Sequence, residues 1–192
     1  MQLALVELAT ELGHLARDQG LMITSAESCT GGLIAWALTQ TAGSSQWFER
    51  GFVTYSNAAK EQSIGVPAAL IELHGAVSEV VAKAMALGCL GAAHNAQIAL
   101  SVTGIAGPTG ATPGKPVGTV CFGWALRGAK PSDVAQSFAQ TLYLTGDRGE
   151  IREQAAKHSI GSAIGYLRQA KGMAHPNTEH TAKPFDNPPA AK

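Results

Sequence analysis

The sequence predicts an α/β domain: a mixed sheet of about five strands with helices on both faces. Three observations predict it. Short apolar runs of strand length alternate with longer stretches of helical periodicity. Turns rich in Gly, Ser, Thr, Asn and Pro separate them, in the strand–turn–helix order that gathers sites where strands end and helices begin. The length, 192 residues, suits one domain with a substantial core.

The elements follow in order. Leu3, Leu5, Val6, Leu8, Leu12 and Leu15 recur at near-helical spacing between Glu7, Glu11 and Arg17, which predicts an amphipathic helix ending at Gly20. Residues 21–24 read as a short strand, 25–32 as a polar, glycine-ended turn, and Leu33 opens a helix to about Gln40. A second turn starts at Gly43. Phe52 and Val53 supply β-propensity for a strand over 52–55, and Asn57 is taken as the N-cap of the next helix. Pro67 and its neighbours break that helix; a short one over 68–73 follows, and Ser78-Glu79 opens a longer one to about His94, with Ala and Gly for close approach to a sheet. Residues 96–102 are almost all apolar, which predicts a central strand. Residues 103–116 are too rich in Gly and Pro for regular structure. Residues 117–126 and 134–144 read as antiparallel neighbours, and Asp147 caps a final helix to about Ala170. The domain is expected to span 1–171, with 172–192 a disordered tail of Pro, Asn, Thr, Ala and Lys. The turns 25–32, 43–60 and 103–116 are expected to converge at one end of the sheet.

Composition excludes several function classes. Lys+Arg and Asp+Glu both number 14, which argues against a nucleic-acid binder working through a broad basic surface. No apolar run is long enough for a membrane span, and the N-terminal residues lack a basic n-region and cleavage signature. Three cysteines without paired spacing read as reduced thiols, hence a cytoplasmic protein. The six histidines form neither HExxH nor a Cys/His cluster, so neither a metal nor another cofactor is expected.

The stretch from Gly43 to Lys60 holds three groups suited to proton and acyl chemistry: the Ser45 hydroxyl, the Tyr55 phenol and the Lys60 amine. A serine in a turn usually means only local hydrogen bonding. Ser45 stands out by its company, a phenol and a candidate base within the next fifteen residues, on the far side of a short strand. Lys60 falls in the first turn of the predicted helix, where the positive dipole end penalises an ammonium, and burial beside Tyr55 would penalise it further. Both effects favour the neutral amine, which is a base; the ordinary alternative is a solvated lysine. A Ser–Lys pair can form an acyl-enzyme without histidine or metal.

Other constellations are weaker. The loop 103–116 could cradle a phosphate through backbone N–H groups, or be a lid without special chemistry. It is not a Walker A loop, since Thr109 stands where the first glycine should be and Pro116 where Ser or Thr should carry magnesium. Tyr55 and Lys60 are five apart, not four as in the tyrosine–lysine pair of short-chain dehydrogenases, and no GxGxxG follows the first strand. Cys29 could be a nucleophile at a helix start, but no histidine is near it in sequence, and a buried packing role is the better reading. Cys89 and Cys121 read as core. Trp47-Phe48 could wall a pocket, although such pairs are more often core. Arg148 could hold a phosphate through its planar fork, or make a surface salt bridge.

Together, residues 26–32 (AESCTGG), 43–45 (GSS) leading to 51–57 (GFVTYSN), 75–79 (GAVSE), 101–108 (SVTGIAGP), 115–120 (KPVGTV) and 146–148 (GDR) resemble the CinA C-terminal domain family, over about residues 3–168. The resemblance implies a three-layer α/β/α sandwich. Enzymatic members of that family are nicotinamide mononucleotide (NMN) deamidases, so it also implies hydrolysis of the NMN carboxamide to nicotinate mononucleotide and ammonia, in pyridine-nucleotide recycling. By the resemblance, Ser45, Tyr55 and Lys60 are catalytic. Ser28, Thr30, Gly31, Thr103 and Gly104 line the substrate cleft, with Arg148 as the candidate phosphate ligand. A homodimer is expected by family analogy. The large N-terminal domain of two-domain members has no counterpart here, so a stand-alone form is expected. The alternatives are a non-catalytic nucleotide-binding module that regulates a partner in competence or DNA damage, and an amidase for another small amide.

Overall fold

The computed structural model describes residues 2–128 and 135–173. The order is α1 (Gln2–Asp18), β1 (Ile23–Glu27), α2 (Leu33–Leu38), a 3-10 turn (Ser44–Gln46), β2 (Phe48–Val53), α3 (Asn57–Ile64), α4 (Ala68–His74), α5 (Glu79–Ala92), β3 (Ile98–Gly104), β4 (Thr119–Leu126), β5 (Gln136–Tyr143) and α6 (Arg148–Met173). The five strands form one mixed sheet in the order β2-β1-β3-β4-β5. β1 runs parallel to β2 and β3, whereas β4 is antiparallel to β3 and β5.

Register decides where the loops go. Glu27 pairs with both Val53 and Val102, Gly104 with Val120, and Thr119 with Tyr143. The segments 28–32, 54–56 and 105–118 and the start of α6 therefore gather at one end of the sheet, outside the carboxyl ends of its parallel strands. The 3-10 turn precedes β2 and lies at the other end, where the Trp47 carbonyl accepts from the Ile23 N–H that begins β1 (2.7 Å).

Alternation along β3 builds both cores. Ile98, Leu100 and Val102 join Phe122 and Trp124 beneath α1, α2 and α6, packed on Leu5, Leu12, Ile34 and Ile160. Ala99 meets Ala26 and Ala125 on the opposite face, under Ile64, Ile71, Val81 and Met85 of α3–α5. Small residues let α5 lie close: a Cβ on Gly123 would meet the Ala82 carbonyl, and one on Gly88 the Ile64 carbonyl. The expected mixed α/β architecture with helices on both faces is the one observed.

The differences are local. The second strand is Phe48–Val53, not 52–55, because pairing with β1 outweighs the low β-propensity of Glu49, Arg50 and Gly51. The first strand extends to Glu27, since its polar residues find partners in the fold: Thr24 Oγ1 donates to the Arg50 carbonyl (2.9 Å). The N-cap of α3 is Ser56, not Asn57; its hydroxyl accepts from the Ala59 N–H (3.0 Å). Asp147 and Glu150 each accept the other's backbone N–H (2.9 and 2.8 Å), a reciprocal capping arrangement at the start of α6. α6 runs to Met173, past the expected boundary at 171. Residues 174–192, most of the expected tail, and Val134, expected in the last strand, lie outside the described residues. No helix among the described residues is long and apolar enough to cross a membrane.

Gly88→Ala is expected to lower stability by about 1–3 kcal/mol through the clash with α3. Gly91→Ala on the same helix, with open space at its Cβ, is expected to raise it by about 0.5–1 kcal/mol. Urea unfolding followed by circular dichroism checks both, and coincident curves for Gly88→Ala and wild type would contradict the packing.

Candidate active site

The site begins with the turn after β1. The Ser28 N–H donates to the Val102 carbonyl (2.9 Å), continuing the ladder with β3 one residue past the strand. The Gly31 N–H closes the turn on the Ser28 carbonyl (3.0 Å). Gly31 and Gly32 have φ of 60° and 93°, a left-handed region that favours glycine. α2 has no side-chain N-cap of its own. The buried Glu27 carboxylate supplies one: it accepts the N–H groups of Gly32 and Ile34 (both 3.0 Å) and of Ala35 (2.8 Å). These are the amides that a helix start leaves without an intrahelical acceptor.

The next turn brings Lys60 to Ser28. The Thr54 N–H donates to the Glu27 carbonyl (2.8 Å), so the chain leaves β2 level with the end of β1. Lys60, in the first turn of α3, then points back beneath it and is only 1 % exposed. Its Nζ donates to the carbonyls of Thr54 (2.9 Å) and Tyr55 (3.3 Å) and lies 3.2 Å from Ser28 Oγ. The ion pairs among the described residues are Arg17–Asp18, Arg50–Glu49, Lys157–Glu153 and Arg168–Glu11. Lys60 is therefore buried without a carboxylate partner, and burial holds its amine below the usual lysine range, against a smaller opposing effect of Cys29. A neutral amine has two N–H donors and one lone pair. Here Nζ donates to Ser28 Oγ, whose own hydroxyl donates to the Tyr55 carbonyl (3.4 Å); once deprotonated, the amine would hold its lone pair within reach of that hydroxyl, as a general base must.

The structure does not bring Ser45 to this site. Ser45 is exposed in the 3-10 turn before β2, whereas Lys60 follows β2. The six-residue strand between them spans roughly 17–20 Å, so proximity in sequence became separation in space. Tyr55 does not relay between them either, since its hydroxyl accepts from Arg148 Nη2 (3.1 Å). Tyr55 enters the site through its backbone, whose carbonyl receives Lys60 and lies 3.4 Å from Ser28 Oγ.

The remaining expected site residues divide. Arg148 joins the mouth of the site, donating from Nη1 to the Gly107 carbonyl (2.8 Å) as well as to Tyr55, and it makes no salt bridge among the described residues. Thr30 is buried, and its Oγ1 has no hydrogen-bond partner among the described residues. Gly31 is exposed beside Ser28. The Thr103 hydroxyl is committed to the Ala76 carbonyl (2.9 Å), and Gly104 is needed by the backbone, because a Cβ there would lie 2.9 Å from the Thr119 carbonyl oxygen. Burial pushes the Cys29 thiol up to about 12, so it stays protonated at neutral pH and packs the turn. Trp47 is core, its Nε1 donating to the Leu38 carbonyl (3.0 Å). Among the described residues no group of three or more His, Cys, Asp or Glu could hold a metal ion.

Sequence reasoning missed two charged residues. Glu27 read as part of a polar turn, and no spacing rule marks a carboxylate that caps the helix after its own turn. Arg152 donates from Nη2 to the Thr30 carbonyl (2.8 Å). A signal for it existed: it stands one helical turn past Arg148, hence on the same face of the predicted helix.

The site can be set beside known proteins. The chain is 51 % identical over 158 residues to the nicotinamide-nucleotide amidohydrolase PncC of Enterobacter agglomerans, covering 82 % of this chain and 92 % of that protein. It is 46 % identical to the protein of the same name from Escherichia coli strain K12, covering 81 % and 90 %. A putative competence-damage inducible protein of Symbiobacterium thermophilum is 49 % identical over 162 residues, 83 % of this chain; the chain spans only 38 % of that longer relative. Among solved structures, a competence-damaged protein (CinA) superfamily protein from Klebsiella pneumoniae superposes with a TM-score of 0.79 at 35 % identity, covering 86 % of this chain and 98 % of that one. The family model described as CinA C-terminal domain matches residues 5–167, and the chain belongs to that family.

Proposed function

We propose that this protein is an amidohydrolase that converts NMN to nicotinate mononucleotide and ammonia, with Ser28 as nucleophile and Lys60 as general base. The observation that carries the proposal is the Lys60 amine, buried without an anion and 3.2 Å from Ser28 Oγ. The names of the PncC relatives support the substrate.

In this mechanism Ser28 Oγ attacks the carboxamide carbon while Lys60 Nζ takes the hydroxyl proton. The tetrahedral intermediate collapses as Lys60 returns that proton to the departing nitrogen, releasing ammonia and leaving a nicotinyl ester on Ser28. Water then attacks the ester, losing a proton to Lys60. Ser28 Oγ leaves and is reprotonated from Lys60, and the acid is released. The Thr54 and Tyr55 carbonyls keep the amine aimed throughout. Arg148, unpaired with carboxylate among the described residues, is the proposed ligand of the 5′-phosphate. The reaction would serve pyridine-nucleotide recycling in the cytoplasm, and the homodimer expected by analogy is testable by sedimentation.

Incubation of the purified protein with NMN should yield nicotinate mononucleotide and stoichiometric ammonia. Ser28→Ala is expected to lower the rate at least about 10³-fold and Lys60→Ala about 10²–10⁴-fold, while Ser45→Ala stays near wild type. Binding of NMN by calorimetry with no product would sink the enzymatic reading, and loss of activity in Ser45→Ala but not Ser28→Ala would reverse the assignment.

Proton linkage makes a second prediction. Lys60 binds its proton less tightly in the folded chain than at the ordinary lysine value of 10.5. Between the folded-state pKa and 10.5 the unfolded chain carries more protons, so stability rises with pH across that window, and the burial penalty is constant below it. Lys60→Met should therefore melt higher than wild type at pH 7, with the margin shrinking as pH approaches 10.5. Over the same window kcat/KM of the wild type should rise with pH to a plateau. Thermal melts and initial rates across pH test both, and a lower melting temperature for Lys60→Met at pH 7 would contradict a lowered pKa.

A further inference from the structure

Arg152 lies 122 residues from Thr30 in sequence, yet its guanidinium reaches from the second turn of α6 to the Thr30 carbonyl. That peptide group is not neutral ground. Its other end, the Gly31 N–H, donates to the Ser28 carbonyl at 3.0 Å. Arg152 and Ser28 are thus joined by two hydrogen bonds in series through one peptide, and a charged donor on the carbonyl strengthens the bond its N–H makes. The contact is close-fitting, because a Cβ at Gly31 would lie 3.3 Å from Arg152 Nη2.

The charge itself is unexplained by packing. Arg152 is half-buried and makes no salt bridge among the described residues, and its Nε is buried without a hydrogen-bond partner there. A plain structural tie would need neither a full positive charge nor an orphan donor, and buried polar groups are seldom left unpaired without a reason. On the far side of the turn the Glu27 carboxylate holds the amides of Gly32, Ile34 and Ala35. The nucleophile's turn is therefore suspended between an anion pulling on its later N–H groups and a cation pulling on its middle carbonyl.

We propose that Arg152 is a positioning residue for Ser28, holding the hydroxyl in line with Lys60 through the Thr30–Gly31 peptide. This rests on Ser28 being the nucleophile. Arg152 touches neither the reacting carbon nor Lys60, so its removal misplaces Ser28 without weakening substrate binding.

The test compares wild type, Ser28→Ala, Arg152→Ala, Arg152→Gln and Arg152→Lys in steady-state ammonia release from NMN, with thermal melts to confirm folding and the rate of Ser28 labelling by a fluorophosphonate. Arg152→Ala is expected to lose about 10²-fold in kcat with KM within a few-fold, and to label Ser28 more slowly by a similar factor. Arg152→Lys should recover part of both losses and Arg152→Gln less, and added guanidinium should partly rescue Arg152→Ala. If Arg152→Ala does not fold, the ordering of the Lys and Gln variants carries the test. Unchanged kcat and labelling in folded Arg152 variants, or a rise in KM alone, overturns the proposal. If Ser28→Ala is fully active, the nucleophile assignment fails. If Ser28→Ala is dead and the Arg152 variants are normal, only the positioning role fails.

Discussion

The site depends on one buried amine. Lys60 is taken out of water with no carboxylate paired to it among the described residues, and its hydrogen-bond partners there are two backbone carbonyls and one hydroxyl. A charged amine there lacks the counter-ion that buried ammonium groups ordinarily require. The acceptors around Nζ are all uncharged, so nothing among them offsets the desolvation that lowers its proton affinity. In the proposed mechanism desolvation takes the place of the histidine of a Ser-His pair, and the fold need only keep water and anions away.

Keeping them away is a matter of strand ends. β1 and β2 run parallel and finish level, with β3 parallel to them and two residues longer, so the Ser28 turn, the Thr54–Lys60 turn and the 105–118 loop leave the same end of the sheet. The one carboxylate next to Ser28 in sequence, Glu27, is withdrawn by three amides of α2. A helix cap and a catalytic site are the same construction seen from two sides: with its carboxylate engaged by α2, Glu27 is not the counter-ion of Lys60. α6 closes the arrangement from a distant part of the chain, through Arg148 at the mouth and Arg152 on the turn that carries Ser28.

Much of this was legible beforehand. The element order, the buried β3 and the close approach of α5 follow from apolar periodicity and from Ala and Gly at packing positions, which are local signals. The special state of Lys60 was legible as one of two readings, through the helix start and burial beside Tyr55; burial is the cause that acts, and it excludes the solvated lysine. Which hydroxyl lies beside Lys60 was not legible. Ser45 and Lys60 lie fifteen residues apart in the chain, but the strand between them carries one away from the other. Ser28 lies thirty-two residues from Lys60 and touches it.

By itself, the sequence determined the layered α/β architecture, the polar turns and a lysine in the first turn of a helix, because each rests on patterns within a few residues. Only the tertiary structure decided that this lysine is buried, which hydroxyl lies beside it, and that Glu27 and Arg152 bond the turn that carries that hydroxyl. Those pairings are set by parallel register and by a helix returning from the far end of the chain; spacing could put Arg152 on the face of Arg148 but could not say what that face meets.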